Sequence, residues 1–175
     1  MNNIIIRNAQ PKDAMQYHTL GLLVWRDAYK HIFPEEVFVE KEAKINKKIA
    51  TFAQDCVTNN NQIVLVAESD GKIIAFMFGL RKSNYQHFAD MGYADLVALY
   101  IHPNFQHKGI GKRLKDKFVE WAKQNGATKF VIGVLKDNQQ GRSAYEKWGG
   151  KLESYTQPFV KLGKEYPEVF YTFDI

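Results

Sequence analysis

Two glycines, two lysines and a histidine fall within the seven residues Gln106, His107, Lys108, Gly109, Ile110, Gly111 and Lys112. An apolar run precedes this segment and an amphipathic one follows it. Where such a segment opens a helix, the first backbone N–H groups lack partners and carry the positive end of the helix dipole. Glycine lets the chain turn tightly and brings those donors close to an oxyanion. The result is an anion site suited to phosphate. Lys108 and Lys112 would add charge without demanding a fixed geometry. The spacing is not that of a Walker A loop, which is longer and ends in Gly-Lys-Ser/Thr. It is not the dinucleotide fingerprint either, because Arg113 and Leu114 stand around the third glycine's place. Glycines so spaced also open helices that bind nothing, so spacing and charge leave both readings open.

Other reactive side chains are sparse. Cys56 is the single cysteine, so no internal disulfide can form. It has no activating partner in sequence and reads as a small buried hydrophobe. His31, His87 and His102 are too scattered to suggest a metal site, and no metal is expected.

The elements that would position the loop follow from periodicity and punctuation. Residues 4–6 read as a short buried strand. Pro11 and Asp13 open a helix to about residue 29, with Met15, Leu22, Trp25 and Tyr29 at helical spacing. Pro34 breaks it, and a second helical stretch runs from about 35 to 57. Residues 63–67 and 73–80 are strands joined by a tight turn at Asp70-Gly71, hence antiparallel. Residues 81–93 read as a polar loop, and 95–101 as the strongest central strand. The helix after the loop carries Ile110, Leu114, Phe118 and Trp121 as its core stripe and stops at Asn125-Gly126. Residues 129–134 form a strand parallel to 95–101, since a helix connects them. A short helix spans 138–148, and 151–156 and 168–173 close the sheet. The expected architecture is α/β of the α+β type: one domain over residues 1–175, with a central mixed sheet flanked by helices.

Residues 96–114, with Tyr100-Ile101-His102-Pro103 leading into the glycine loop, resemble the acetyl-CoA signature of the GCN5-related N-acetyltransferase (GNAT) superfamily. A second segment, from Asn138 through Gly141, Ala144 and Tyr145 to Gly149, is similar to that family's Asn-x-x-Ala-x-x-x-Tyr-x-x-x-Gly pattern. The opening from Ile6 and Arg7 to Asp13 matches too, so the resemblance covers nearly the whole chain. Gly141 stands where alanine is common, and Gly150 where an aromatic or apolar residue is usual.

The resemblance implies a mostly antiparallel sheet whose one parallel pair splays apart to admit the pantetheine arm. Backbone groups of Leu99, Tyr100 and Ile101 would pair with that arm like an added strand. Gln106 through Lys112 would hold the pyrophosphate. Asn138 would hydrogen-bond the arm, cap the short helix, or do both. Tyr145 would protonate the departing thiolate; its alternative is a core ring beside Trp148. Asp95 would act as base, directly or through water, or be a surface acid at a strand end. A backbone N–H near Leu99 could stabilise the oxyanion. Trp25 and Tyr29 share a helix face, and either line the acceptor pocket or staple the helix to the sheet. No covalent nucleophile stands out, so direct attack on the thioester is the simpler chemistry.

The bulk properties set limits. At 45% hydrophobic, the 175 residues can bury a sizeable core. The net charge of +5 could favour nucleic acid, an anionic surface or an anionic cofactor. The residues beside the glycines are assigned to phosphate, and Lys115 and Lys117 to a solvated helix face. Nucleic-acid binding is therefore not expected. No apolar stretch approaches the ~20 residues that span a bilayer, and no leader is visible at the start, so a cytoplasmic protein without a membrane partner is expected. The expected function is acetyl transfer from acetyl-CoA to a small-molecule primary amine. The alternatives are a protein or peptide N-acetyltransferase and a non-catalytic CoA-binding sensor. A homodimer is possible by the same resemblance.

Overall fold

The computed structural model describes residues 4–175. The expectation about a leader falls partly on residues 1–3, outside the described residues. A seven-stranded sheet runs in the order β1-β2-β3-β4-β5-β7-β6. Its strands are β1 (Ile5–Asn8), β2 (Gln62–Ser69), β3 (Lys72–Leu80), β4 (Ala94–Ile101), β5 (Lys129–Leu135), β6 (Lys151–Lys161) and β7 (Lys164–Asp174). Only β4 and β5 pair in parallel; all other neighbours are antiparallel. On one face, α5 (Ile110–Gln124) and α6 (Gln139–Lys147) cover a core that includes Met77, Leu96, Phe118, Phe130 and Tyr171. The other face carries α1 (Ala14–Tyr29), α2 (Glu35–Ala43), α3 (Ile45–Asp55) and α4 (Gln86–Asp90).

Several expectations needed correction. The start of the chain is an edge strand, and Ile5 is exposed rather than buried. The long second helix breaks at Lys44 into α2 and α3. The two pieces answer to different cores: Val37 and Phe38 join Trp25 and Phe33, whereas Phe52 joins Tyr17 and Phe76. The polar loop contains α4, which buries Phe88 and Ala89. The final hairpin is longer than expected. Its turn sets Leu162 and Gly163 at φ of 49° and 74°, the same pattern as Asp70 and Gly71 at 51° and 74°. A leucine in the left-handed region disguises that turn. Pro158 facing Pro167 disguises the strands, because proline reads as a strand breaker. Pairing of β7 with β5 begins at Glu168, and Pro167 only accepts there, from Lys136 N–H at 2.8 Å, so neither proline leaves an inner-ladder donor missing.

The feature that makes room for a site is in β4. Phe78 pairs with Ala98, but Leu80 pairs with Asp95, so Leu96 and Val97 together face Gly79. This bulge bends the strand. Gly79 is required there: a Cβ would lie 2.4 Å from the Phe118 ring that packs over it. Pairing with β5 stops at Ala94–Phe130 and Asp95–Val131. From Leu96 onward the two strands diverge, as the family resemblance implies.

Candidate active site

The diverging strand leaves backbone groups without a neighbour. His102 N–H donates to Ile74 O at 2.8 Å, which fixes the alternation along the β3–β4 ladder. Tyr100 pairs with Phe76 in that phase, so the groups of Leu99 and Ile101 point toward the gap. Tyr100 therefore departs from expectation: β3 takes its backbone, and its ring packs edge-to-face on Phe76 at 5.2 Å. The gap's mouth is spanned by Gln106. Its amide donates to Ile101 O at 3.3 Å and accepts from Gln140 Nε2 at 2.8 Å.

The glycine loop begins α5. His107 and Gly109 both have positive φ, 59° and 76°, and Gly109 is the N-cap. No side chain caps this start, so Ile110, Gly111 and Lys112 open the helix with free donors. The two glycines serve different ends. Gly109 has open space around it and is needed for its dihedral. Gly111 is needed for contact, since a Cβ would lie 3.1 Å from Ile101 and 3.3 Å from Trp148. Lys112 is paired with Asp116 at 2.6 Å, and Lys108 rests over the Phe105 ring.

At the start of α6, Asn138 caps the helix through Gly141 N–H at 3.0 Å, and its Nδ2 donates to the Tyr29 hydroxyl at 3.4 Å. A Cβ on Gly141 would meet the Asn138 amide at 3.0 Å, so the glycine admits the cap. Gly150 likewise admits the Phe173 ring, 2.6 Å from where its Cβ would be. Both departures from the family pattern thus have local causes. Tyr145 lies between Trp148 and Tyr171, with ring centroids at 5.8 and 5.9 Å. Burial holds its phenol well above the usual value, with Tyr29 adding to the effect. Burial thus keeps Tyr145 protonated at neutral pH and also makes it a weaker acid than a free phenol. Tyr29 faces this cluster, whereas Trp25 is buried and stacks on Phe33 at 4.8 Å. Trp25 is a packing residue.

Asp95 is not the surface acid that a strand end suggests; it is 1% exposed. Its Oδ2 accepts from Ser83 Oγ at 2.9 Å and from Asn84 N–H at 3.1 Å, while Oδ1 has no partner among the described residues. Burial pushes its carboxyl up to about 6. On β7, Glu168 accepts from the Tyr85 hydroxyl at 3.0 Å. Burial pushes Glu168 up to about 7, and the Asp95 charge adds to the rise. Gly133 of β5 makes this arrangement possible: its Cβ would lie 2.5 Å from the Tyr85 oxygen and 2.9 Å from Glu168 Oε1. Sequence reasoning missed Glu168, Tyr85 and Gly133. Alternation gave no signal for Glu168, since residues 168–173 are buried on both strand faces.

A helix start rich in free donors and a strand with unpaired backbone groups flank the gap; a protonated phenol lies on the α6 side of the sheet, and two carboxyls raised towards neutrality lie on the α4 side, Asp95 where the β4–β5 pairing ends. Such a set can hold an extended anionic ligand and move protons on both sides of it. Among the described residues no group of three or more His, Cys, Asp and Glu is placed to hold a metal, and no helix is long and apolar enough to cross a membrane.

Residues 22–150 match the family described as the Acetyltransferase (GNAT) family. The uncharacterized N-acetyltransferase YhfO of Bacillus subtilis is 28% identical over 101 residues, which take in 56% of this chain and 64% of YhfO. The spermidine N(1)-acetyltransferase of Thermoplasma acidophilum is 27% identical over 145 residues, covering 81% of this chain and 84% of that protein. Among solved structures, the PaiA N-acetyltransferase of Thermoplasma acidophilum in complex with coenzyme A superposes with a TM-score of 0.73 at 23% identity, covering 99% of both chains. That likeness is one of fold. With most of its length inside the family match, this chain belongs to the GNAT family of acetyltransferases.

Proposed function

We propose that this chain transfers the acetyl group of acetyl-CoA to the primary amine of a small molecule by direct attack. The observation that carries the reading is the β4–β5 gap, with Tyr145 at one side and the Asp95–Glu168 pair at the other. The co-substrate supplies an activated acetyl thioester. Gln106, His107, Lys108, Gly109, Ile110, Gly111 and Lys112 hold its pyrophosphate at the start of α5. Leu99 and Ile101 offer backbone groups to the amides of the arm, and Asn138 steadies it from α6. For the arm to enter, Gln106 gives up its bond to Ile101 O.

An amine reaches the site mostly as an ammonium, which has no lone pair. Glu168, up to about 7 and hydrogen-bonded by Tyr85, suits removal of that proton near neutral pH. Asp95 stands beside it as a second acceptor, with one oxygen free. On the other side, Tyr145 gives its proton to the departing thiolate, whose ordinary pKa is near 8.5. A small-molecule acceptor is supported by the name of the Thermoplasma relative, a spermidine acetyltransferase.

CoA-thiol release across a panel of small primary amines and peptides with free N-termini tests the reading. Release is expected with at least one small amine, and Tyr145→Phe should lower kcat by about 10²-fold or more without weakening acetyl-CoA binding. Release with peptides alone would contradict the small-molecule acceptor. An unchanged kcat in Tyr145→Phe would remove Tyr145 as the acid.

A further inference from the structure

A second concavity opens between α1, α2 and α3, on the sheet face that carries Asp95 and Glu168. It encloses about 230 Å³. Its walls are rings: Tyr17 stacks on Phe76 at 3.8 Å, and Tyr100 meets Phe76 edge-on. Gly21 keeps the floor open, because a Cβ there would touch the Phe76 ring at 3.3 Å. The polar lining is one-sided. It consists of His18, Lys41 and Lys48, with no carboxylate among the lining residues.

Burial pushes the His18 imidazole down, so it is a neutral hydrogen-bonding group beside the two lysines, which are poorly neutralised. Neither Lys41 nor Lys48 takes part in an ion pair among the described residues. Glu40, the neighbour of Lys41, is held instead by Lys44 and Lys161. Lys41 Nζ lies 4.4 Å from the Trp25 ring centroid. Burial, then the charge of Lys48, pushes Lys41 down to about 8. His18 Nε2 is buried without a hydrogen-bond partner among the described residues. Like charges crowded against apolar rings, beside an unpaired ring nitrogen, are relieved by an incoming anion and worsened by a cation. The pocket also adjoins the reaction gap. Tyr100 forms its wall, and the Tyr100 hydroxyl feels those of Tyr29 and Tyr145.

We infer that this pocket seats the far end of the acceptor, and that the acceptor is an amine bearing an acidic group on an apolar or aromatic body. The acid lies against Lys41, Lys48 and His18, the body lies on Tyr17, Phe76 and Tyr100, and the amine points past Tyr100 toward Asp95 and Glu168. A polyamine would place a second positive charge among the lysines and is disfavoured. This inference rests on the acetyl-transfer reading for the amine's fate, but the pocket's preference can be read without turnover.

Calorimetric titration of the full chain with phenylacetate, phenyl phosphate and phenethylamine provides that readout. At least one of the two anions should bind, with phenethylamine at least tenfold weaker, and the stronger anion distinguishes a carboxylate from a phosphate acceptor. Lys41→Gln and Lys48→Gln should each weaken the anion at least tenfold while leaving acetyl-CoA affinity intact, which also shows that the variants are folded. Lys48→Arg should retain most of the binding. Equal affinity for phenethylamine, or wild-type affinity for the anion in both glutamine variants, would overturn the inference. In turnover, an aromatic amino acid should exceed its decarboxylated amine at least tenfold in kcat/KM, with the difference lost in Lys41→Gln; equal values in wild type would also overturn it.

Discussion

Asp95 and Glu168 hold their protons to higher pH than exposed carboxyls do, because both are buried; the Asp95 charge raises Glu168 further. On the proposed mechanism this gives the site a base that is half-ready near neutral pH. The sign of the coupling is testable. At saturating acceptor, kcat should rise with pH through a limb near 7, the value to which Glu168 is pushed. Asp95→Asn removes a neighbouring negative charge, so the remaining acid ionises more easily and the limb should move to lower pH. Glu168→Gln should remove the limb. A shift to higher pH in Asp95→Asn would refute the coupling. Asn138 and Tyr145 could be singled out in sequence because the second family-like segment carries both, and the structure shows the helix cap expected of Asn138. Glu168 could not be, since it meets Asp95 only through the pairing of β4 with β5 and of β5 with β7. Trp25 and Tyr29 show the limit of periodicity: it placed both on one helix face, and only packing separates the stacked indole from the phenol that meets Asn138.

Two elements define the proposed cofactor end, and each depends on a local irregularity. The bulge at Leu96 and Val97 turns β4 away from β5, and the left-handed Gly109 starts α5 with its donors uncovered. The glycine loop was visible from composition alone, but the different duties of Gly109 and Gly111 were not. One answers to a dihedral and the other to the approach of Ile101 and Trp148. The bulge left no trace in sequence, because an apolar strand with one extra residue still reads as an apolar strand. Gly109→Glu places a carboxylate at the helix start and should weaken acetyl-CoA binding at least tenfold, about 1.4 kcal/mol. Gly109→Ala bears only the left-handed strain, about 1–2 kcal/mol of folding stability, and should bind more tightly than Gly109→Glu. Calorimetry with acetyl-CoA checks both; wild-type affinity in Gly109→Glu would contradict the loop's role. The break between α2 and α3 was hidden for a similar reason. Helical period continues across Lys44, and only the separate destinations of Phe38 and Phe52 show that the axis must change.

At the scale of the molecule, the sheet divides the labour. The face under α5 and α6 holds Tyr145 and, on the proposed reading, the co-substrate, while the face under α1 to α4 holds Asp95, Glu168 and the basic pocket. Chemistry between the two is possible because β4 and β5 part company between them. The parallel pair and its crossover helix were legible from strand, helix, strand order, whereas the placement of β7 between β5 and β6 required the long hairpin that two prolines obscured. On the proposed mechanism the acetyl group passes directly across this gap to an amine, with no covalent stop on the protein. The intact mass of the protein, followed together with thiol release after adding acetyl-CoA with and without an accepted amine, tests it most directly. Direct transfer predicts an unmodified protein in both samples and thiol release only when the amine is present. Stoichiometric acetylated protein formed before the amine is added, and consumed when it arrives, would contradict it.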